Sequence, residues 1–499
     1  MNVIPFTAKT LDAFILLNFS FRNGLQFNVI FDAGVSNLKQ KDVPLQIYRQ
    51  LYKKPQEFGL QEFHHVDYIF LSHDHADHRN LLKDIVKIIA EEEDRPLKSV
   101  QVLLTRGTYY SLKNELGGLN LLPKEHEFDI PHAILKIQGE FIPSGHINGA
   151  VMVFLNVNGI RVLYTGDFNT ERKRDFLTPL SPTELQGKFE GQLHLLITEA
   201  TNCSINLKDR IPSSEAFRRL CELIGFTCDR SEKICIISSA WTCIPEVLDL
   251  CFAIRNYARA VEQELELNIR NIPIYVLDVS NVDFEREQYA QLSMEKEFLD
   301  ITTSETPGKD PYKIGKQSII QVVSEEKLYN VTGGSVVVLP NTVFWTTAIE
   351  NQVLEWDKDP GNKFIFLGDQ HPTPRYNLIK DRSNTVLLHY SNHAGENVVI
   401  QLIGSLAPAN VFVTHYDQAL ADTFRQFLQV TFKGKITQRF YNIGNQIGGQ
   451  YRYKIYDIIP FTHLIPQRCY QLLNKRAAKE HIDWQIYFER LLNEMKGGR

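Results

Sequence analysis

Six consecutive positions constrain this chain more than anything else in it. His73-Asp74-His75-Ala76-Asp77-His78 packs three histidines and two aspartates into one short stretch, directly after a strand-like run over 66–71. Polar and ionisable groups at that density beside a buried strand are costly unless they bind something. On a tight loop, side chains two apart can converge on one ion while the next pair serves a second. Imidazole and carboxylate together suit zinc or a similar borderline metal. A solvated polar loop is the plainer alternative, and an isolated His-x-His would support no more than that.

Completing two metal sites requires ligands from elsewhere, and three places supply them. His146 closes Pro143-Ser144-Gly145-His146 after an apolar run, and Gly145 lets the backbone approach closely. Asp167, in Tyr164-Thr165-Gly166-Asp167-Phe168, leaves another buried run, where one carboxylate can bridge two metals. His415, in Val411-Phe412-Val413-Thr414-His415, repeats the theme. A single strand-end histidine or aspartate is usually structural; three of them plus the cluster point to one answer.

The surrounding chain alternates strands with helices. Runs at 14–19 and 27–32, split by Arg22-Asn23-Gly24, predict a hairpin, and Asn158-Gly159 predicts a second between strands at 151–157 and 161–165. Further strands are expected at 100–104 and 133–137. From about 205 to 382 the texture becomes strand–helix alternation, with strands at 234–237, 272–277, 335–339 and 363–367 and a helix over 245–263. That pattern predicts a parallel sheet covered by helices. The stretch 302–316 reads as an exposed loop and 467–496 as a helical, mixed-charge tail, suited to docking on the chain's own core or to a protein partner. The expected organisation is a first domain segment over 1–205, an inserted domain over 206–382, a return to the first domain over 383–465, and the tail over 466–499.

Composition excludes several classes. The 499 residues include 30 Phe and 20 Tyr, too many for disorder, and a net charge of −5 rules out a protein held on nucleic acid by bulk positive charge. The start of the chain lacks the charged and apolar pattern of a signal peptide, and no run approaches the roughly 20 apolar residues that span a bilayer. Seven cysteines, none in a Cys-x-x-Cys pair, read as free thiols. The expected location is therefore intracellular, cytoplasmic or nuclear, with no secretion and no membrane. Trp241, Phe344 and Trp345 invite comparison with base-stacking platforms, but core packing is the commoner use of such residues.

The motif series His-x-His-x-Asp-His, glycine-preceded histidine and Thr-Gly-Asp resembles the metallo-β-lactamase superfamily. Three further motifs resemble its β-CASP branch of nucleic-acid nucleases: Glu199 in Leu196-Ile197-Thr198-Glu199-Ala200-Thr201, His393 in Tyr390-Ser391-Asn392-His393-Ala394-Gly395, and His415 itself. The likeness covers roughly residues 10–460 and is nearest to the polyadenylation endonuclease subunit and RNase J-like RNA nucleases. It implies an αββα sandwich with an inserted parallel-sheet β-CASP cap. It also implies two zinc ions, or other divalent metals, with His73, His75 and His146 on one, Asp77, His78 and His415 on the other, and Asp167 between them. Asp77 and Asp167 then serve catalysis as well as metal binding, with His393 as proton donor to the leaving oxygen and Glu199 orienting it. Asp32, closing Val29-Ile30-Phe31-Asp32, matches the superfamily's first aspartate motif and is expected to brace the histidine loop.

The activity so implied is that of a metal-dependent hydrolase of phosphodiesters: an RNA endonuclease, with exonuclease action as an addition, engaged in RNA processing. A histidine at the position of His415 goes with RNA-directed members, so RNA is the expected partner and DNA or a nucleotide-type phosphodiester the alternative. The branch's usual Ser-Ala-His-x-Asp is Ser391-Asn392-His393-Ala394-Gly395 here, so an aspartate is replaced by Gly395. A catalytically quiet scaffold subunit is the reading from another class; such chains typically lose ligands, and all seven positions are filled here.

Overall fold

Two seven-stranded sheets lie face to face, and a third, wholly parallel sheet is inserted in the chain between two neighbouring strands of the second. The computed structural model describes residues 1–6, 12–21, 24–36, 38–113, 115–124, 126–147, 149–170, 179–189, 193–203, 213–238, 250, 254, 257–258, 260–269, 271–277, 320–339, 345–367, 376–379, 382–388, 392–415, 427–428, 430–432, 439–442 and 456–457.

The first sheet runs in the order β20-β1-β2-β3-β4-β5-β6. Its strands are β1 (Asn2–Pro5), β2 (Ile15–Ser20), β3 (Gln26–Phe31), β4 (Tyr68–Phe70), β5 (Gln101–Thr105), β6 (Asn120–Lys124) and, from the far end of the chain, β20 (Tyr456–Asp457). The second has the order β19-β18-β11-β10-β9-β8-β7. It is built from β7 (Glu127–Ile130), β8 (Ile137–Pro143), β9 (Val151–Val157), β10 (Ile160–Tyr164), β11 (Leu195–Glu199), β18 (Asn410–Thr414) and β19 (Arg439–Asn442).

The period-2 alternation of these strands explains the layering. Ile15, Leu17, Phe27, Val29 and Phe31 from the first sheet meet Val153, Leu155, Val162, Tyr164, Ile197 and Phe412 from the second in one core. The intervening residues point outward. Leu16, Ile30, Ile69 and Val102 pack under the helices Asp42–Lys53 and Leu82–Glu92. Met152, Leu163, Leu196 and Val411 pack under the helices Pro182–Lys188 and Glu396–Leu406. Strands buried on both faces read as continuous apolar runs, and the result is the expected αββα sandwich.

The third sheet has the order β14-β13-β15-β12-β16-β17, from β12 (Lys233–Ser238), β13 (Ile274–Leu277), β14 (Ile320–Val323), β15 (Ser335–Leu339), β16 (Lys363–Leu367) and β17 (Thr385–Leu388). All five pairings are parallel. One face packs on the helix Ser213–Cys228 and the other on the helix Thr347–Asp357. In sequence it separates β11 from β18, which pair parallel in the second sheet.

Several expectations are refined. The strand expected at 133–137 begins only at Ile137 and runs to Pro143. His132 and the residues after it instead form a turn in which His132 Nδ1 accepts from the Ile134 and Leu135 amides at 3.2 and 3.0 Å. The strands β1, β6, β7, β14, β17, β19 and β20 add to those expected from the sequence. Trp345 is buried in the core of the inserted sheet, so it packs rather than stacks on bases. Cys203, Cys221, Cys228 and Cys235 are buried free thiols. Trp241, Phe344, the loop 302–316, the tail and most of the helix expected over 245–263 lie outside the described residues. Among the described residues, no helix is long and apolar enough to cross a membrane.

Candidate metal centre

The carboxyl ends of β3, β4, β8, β10, β11 and β18 open onto one edge of the sandwich, and each is followed by a residue singled out above: Asp32, the loop His73–His78, His146, Asp167, Glu199 at the last strand position, and His415. Strand ends of this kind are rigid platforms for ligands. Asp32 and His415 adopt left-handed backbone conformations, with φ of 54° and 50°. Such values are uncommon outside glycine and cluster where side chains are aimed for function.

Gly145 has φ of 74°, and a Cβ there would lie 2.1 Å from the Asn169 carbonyl oxygen. Its bareness lets the chain turn so that His146 faces the site. Gly145→Ala is therefore expected to destabilise the fold by at least about 2 kcal/mol, from the left-handed penalty and the clash together. Chemical denaturation that shows an unchanged midpoint would contradict this.

Asp167 occupies the centre. Its Oδ2 lies 3.6 Å from His73 Nε2, 3.3 Å from His78 Nε2, 3.6 Å from His146 Nε2 and 3.7 Å from His393 Nδ1, and its Oδ1 lies 3.4 Å from His415 Nδ1. His75 Nδ1 is 3.1 Å from His146 Nε2, and Asp77 Oδ2 is 3.1 Å from His415 Nε2. Two compact donor groups result, His73/His75/His146/Asp167 and Asp77/His78/His415, with a third, Asp167/Glu199/His393/His415, overlapping them; within each, the ligand atoms lie within 4.8 Å of one another. His73, His75, Asp77, His78, His146, Asp167, Glu199, His393 and His415 thus lie together in these groups.

This donor set fits divalent metal. His73 Nε2, His78 Nε2 and both Asp167 oxygens are buried without a proper hydrogen-bond partner, which is expensive in a protein interior and is relieved by a cation. Burial, reinforced by His78 and His75, holds the His73 pKa well below the usual imidazole value, so the ring is neutral as a ligand must be. Burial opposes charge on Asp167, but the surrounding histidines His415, His78 and His393 outweigh it and keep the carboxyl well below its ordinary range. The same balance, led against burial by His415 and His78, holds Asp77 down at about 2.

Behind the ligands, Asp32 acts as a hub. Its Oδ1 accepts from the Ser72 amide at 2.7 Å, and its Oδ2 accepts from Ser72 Oγ at 2.7 Å and from Tyr164 Oη at 2.5 Å; His78 Nδ1 lies 2.7 Å from that same oxygen. Because Ser72 Oγ gives its only proton to Asp32, it accepts from His73 Nδ1, 3.0 Å away, leaving the His73 Nε2 lone pair toward Asp167. His146 Nδ1 is 3.0 Å from the Asn392 carbonyl. On the other flank, Glu199 Oε1 accepts from the Phe168 amide at 2.7 Å and Oε2 lies 2.8 Å from His393 Nδ1. Burial works against charge on His393, but Glu199 and Asp167 prevail and raise its pKa. Gly395, in place of the branch's usual aspartate, caps the helix Glu396–Leu406 and forms a parallel bridge with Asn202. Ser72, Tyr164 and the Asn392 carbonyl escaped the sequence reading: hydroxyls inside apolar runs and main-chain oxygens carry no spacing signal.

A family model described as a beta-lactamase superfamily domain matches residues 27–182, the segment bearing Asp32, the histidine cluster, His146 and Asp167. Over residues 27–182 the chain is therefore similar to that superfamily's domain. The chain is 26% identical over 192 residues to the endoribonuclease ysh1 of Aspergillus fumigatus, covering 35% of its own length and 20% of that protein's. It is 23% identical over 399 residues to an RNase J-like protein of Methanocaldococcus jannaschii, covering 74% of this chain and 86% of that one. It thus spans about a fifth of the length of the ysh1 proteins it matches. A solved structure, a protein of unknown function from Enterococcus faecalis V583, shares the fold with a TM-score of 0.53 at 14% identity, covering 91% of this chain and 99% of that one. The match to a beta-lactamase superfamily domain and the buried donor groups together indicate divalent metal use.

Proposed function

We propose that this chain is a two-zinc phosphodiester hydrolase that cuts RNA, as an endonuclease with exonuclease action as an addition. The observation that carries the reading is the gathering of seven candidate metal ligands, Asp167 among them, beside the Glu199–His393 pair. His73, His75 and His146 would hold one ion and Asp77, His78 and His415 the other, with Asp167 shared. Bound there, the ions supply Lewis acidity toward phosphoryl oxygens and water activated near neutral pH. His393, its Nδ1 held by Glu199, directs Nε2 outward from that pair and delivers a proton to the departing oxygen. Its side chain keeps 20% exposure, whereas Glu199 keeps 1%, so the donor reaches substrate while its partner stays fixed. RNA is favoured because the relatives spanning both short and long parts of the chain are named for RNA cleavage and because the position of His415 holds histidine.

The inserted sheet would form a cap, with domain segments at 1–205, 206–382 and 383–465, and the tail at 466–499 would offer a surface for a protein partner. An RNA-processing role places the chain inside the cell, in cytoplasm or nucleus.

The full-length protein should carry about two metal equivalents by elemental analysis and cleave labelled single-stranded RNA, losing cleavage on chelation and regaining it with zinc. Equal preference for matched DNA would redirect the reading to a general phosphodiesterase. Absence of bound metal would favour a quiet scaffold instead.

A further inference from the structure

Thr201, two residues beyond Glu199, stands where the two halves of the site meet. Its Oγ1 is 2.5 Å from Glu199 Oε2, 2.8 Å from His415 Nδ1 and 3.1 Å from the His415 carbonyl oxygen. A hydroxyl has one proton to give. The nearest acceptor is the Glu199 carboxylate, and a charge-assisted bond to it is the strongest of the choices. With the proton committed there, Oγ1 can only accept from His415, so His415 Nδ1 must carry hydrogen. The remaining His415 neighbour on that side, Asp167 Oδ1 at 3.4 Å, is too distant for a well-formed bond.

We propose that the Thr201 hydroxyl is a positioning group that fixes the His415 ring with hydrogen on Nδ1 and a bare Nε2 beside Asp77, and that links this ring to the Glu199–His393 pair. The inference rests on the metal-binding reading above. It makes a continuous chain: His415 Nδ1–H to Thr201 Oγ1, Thr201 Oγ1–H to Glu199 Oε2, and His393 Nδ1–H to the same oxygen. The arrangement repeats, on the opposite flank, what Ser72 does between Asp32 and His73. Each histidine has its outward-facing nitrogen set by a hydroxyl whose own proton is held by a carboxylate.

The test titrates cobalt(II) alone into metal-stripped full-length protein, reading ligand-field absorption and competition with a chelator, for wild type, Thr201→Val, Thr201→Ala and Thr201→Ser. Valine and alanine should weaken the cobalt site that includes His415 by about 10- to 100-fold and shift its absorption bands, while serine stays close to wild type. Circular dichroism confirms that each variant is folded, and alanine carries the comparison if valine is too bulky. Wild-type affinity in the alanine variant overturns the proposal. So does a folded serine variant as weak as alanine, because the methyl group rather than the hydroxyl would then matter. Wild-type protein that takes up no cobalt overturns the metal-binding reading together with this one, which separates the two failures.

Discussion

Asp167→Ala should abolish strand cleavage for practical purposes, lowering it by about 10³-fold or more, and should cut bound metal at the same time. Its two oxygens have nitrogens of five histidines around them at 3.3 to 3.7 Å and no hydrogen-bond donor to satisfy them. Removing the carboxylate leaves those rings without the one negative charge they share and removes the group between both donor sets. Metal chemistry of this kind supplies several kcal/mol of barrier lowering, and about 4 kcal/mol corresponds to about 10³ in rate. Single-turnover cleavage and elemental analysis on the same preparation check both halves. Full activity in Asp167→Ala would mean that the cluster is not the catalytic centre.

His393→Ala should separate the two roles that Asp167 combines. Cleavage should fall by about 10²- to 10⁴-fold, the range for a lost general acid, while metal content stays at the wild-type level. The reason is geometric: His393 Nδ1 is engaged by Glu199 at 2.8 Å, the ring keeps 20% exposure, and the two compact groups of donors are complete without it. A phosphodiester with a strongly acidic leaving alcohol needs no proton at departure, so its hydrolysis should be spared. Glu199→Gln should act in the same direction, because an amide neither carries the charge that favours protonated His393 nor fixes its orientation. An equal loss on substrates with good and poor leaving groups would remove His393 from proton transfer and leave it a role in substrate holding.

How much of this was legible beforehand differs by level. The sandwich and the inserted sheet were readable because runs such as Val29-Ile30-Phe31 and Val336-Val337-Val338 are buried on both faces and leave continuous apolar signals. The short edge strands were not, since Tyr456–Asp457 or Thr385–Leu388 owe their conformation to a neighbour rather than to their own residues. The candidate site was unusually open to reading: each donor follows a strand, and convergence of strand ends needs no knowledge of loop conformation. What stayed hidden was the layer that aims the donors. Tyr164 looked like one more apolar strand residue, yet its hydroxyl reaches Asp32 across the sandwich. Thr201 and Ser72 carry no signal at all without the three-dimensional placement of the nitrogens they face.

The parallel pairing of β11 with β18 has a consequence for how the protein is made. Ribosomes deliver a chain from its first residue onward, and His415 is the last of the candidate metal ligands to emerge. A nascent polypeptide that stops short of β18 already holds His73, His75, His146 and Asp167 but lacks the strand that pairs with this edge of β11. The first donor set can therefore gather during synthesis, whereas the second must wait for the strand that carries its final histidine. On the proposed reading, a centre assembled in this order would stay silent until β18 and His415 have been translated, and a product terminated before them is expected to be inert.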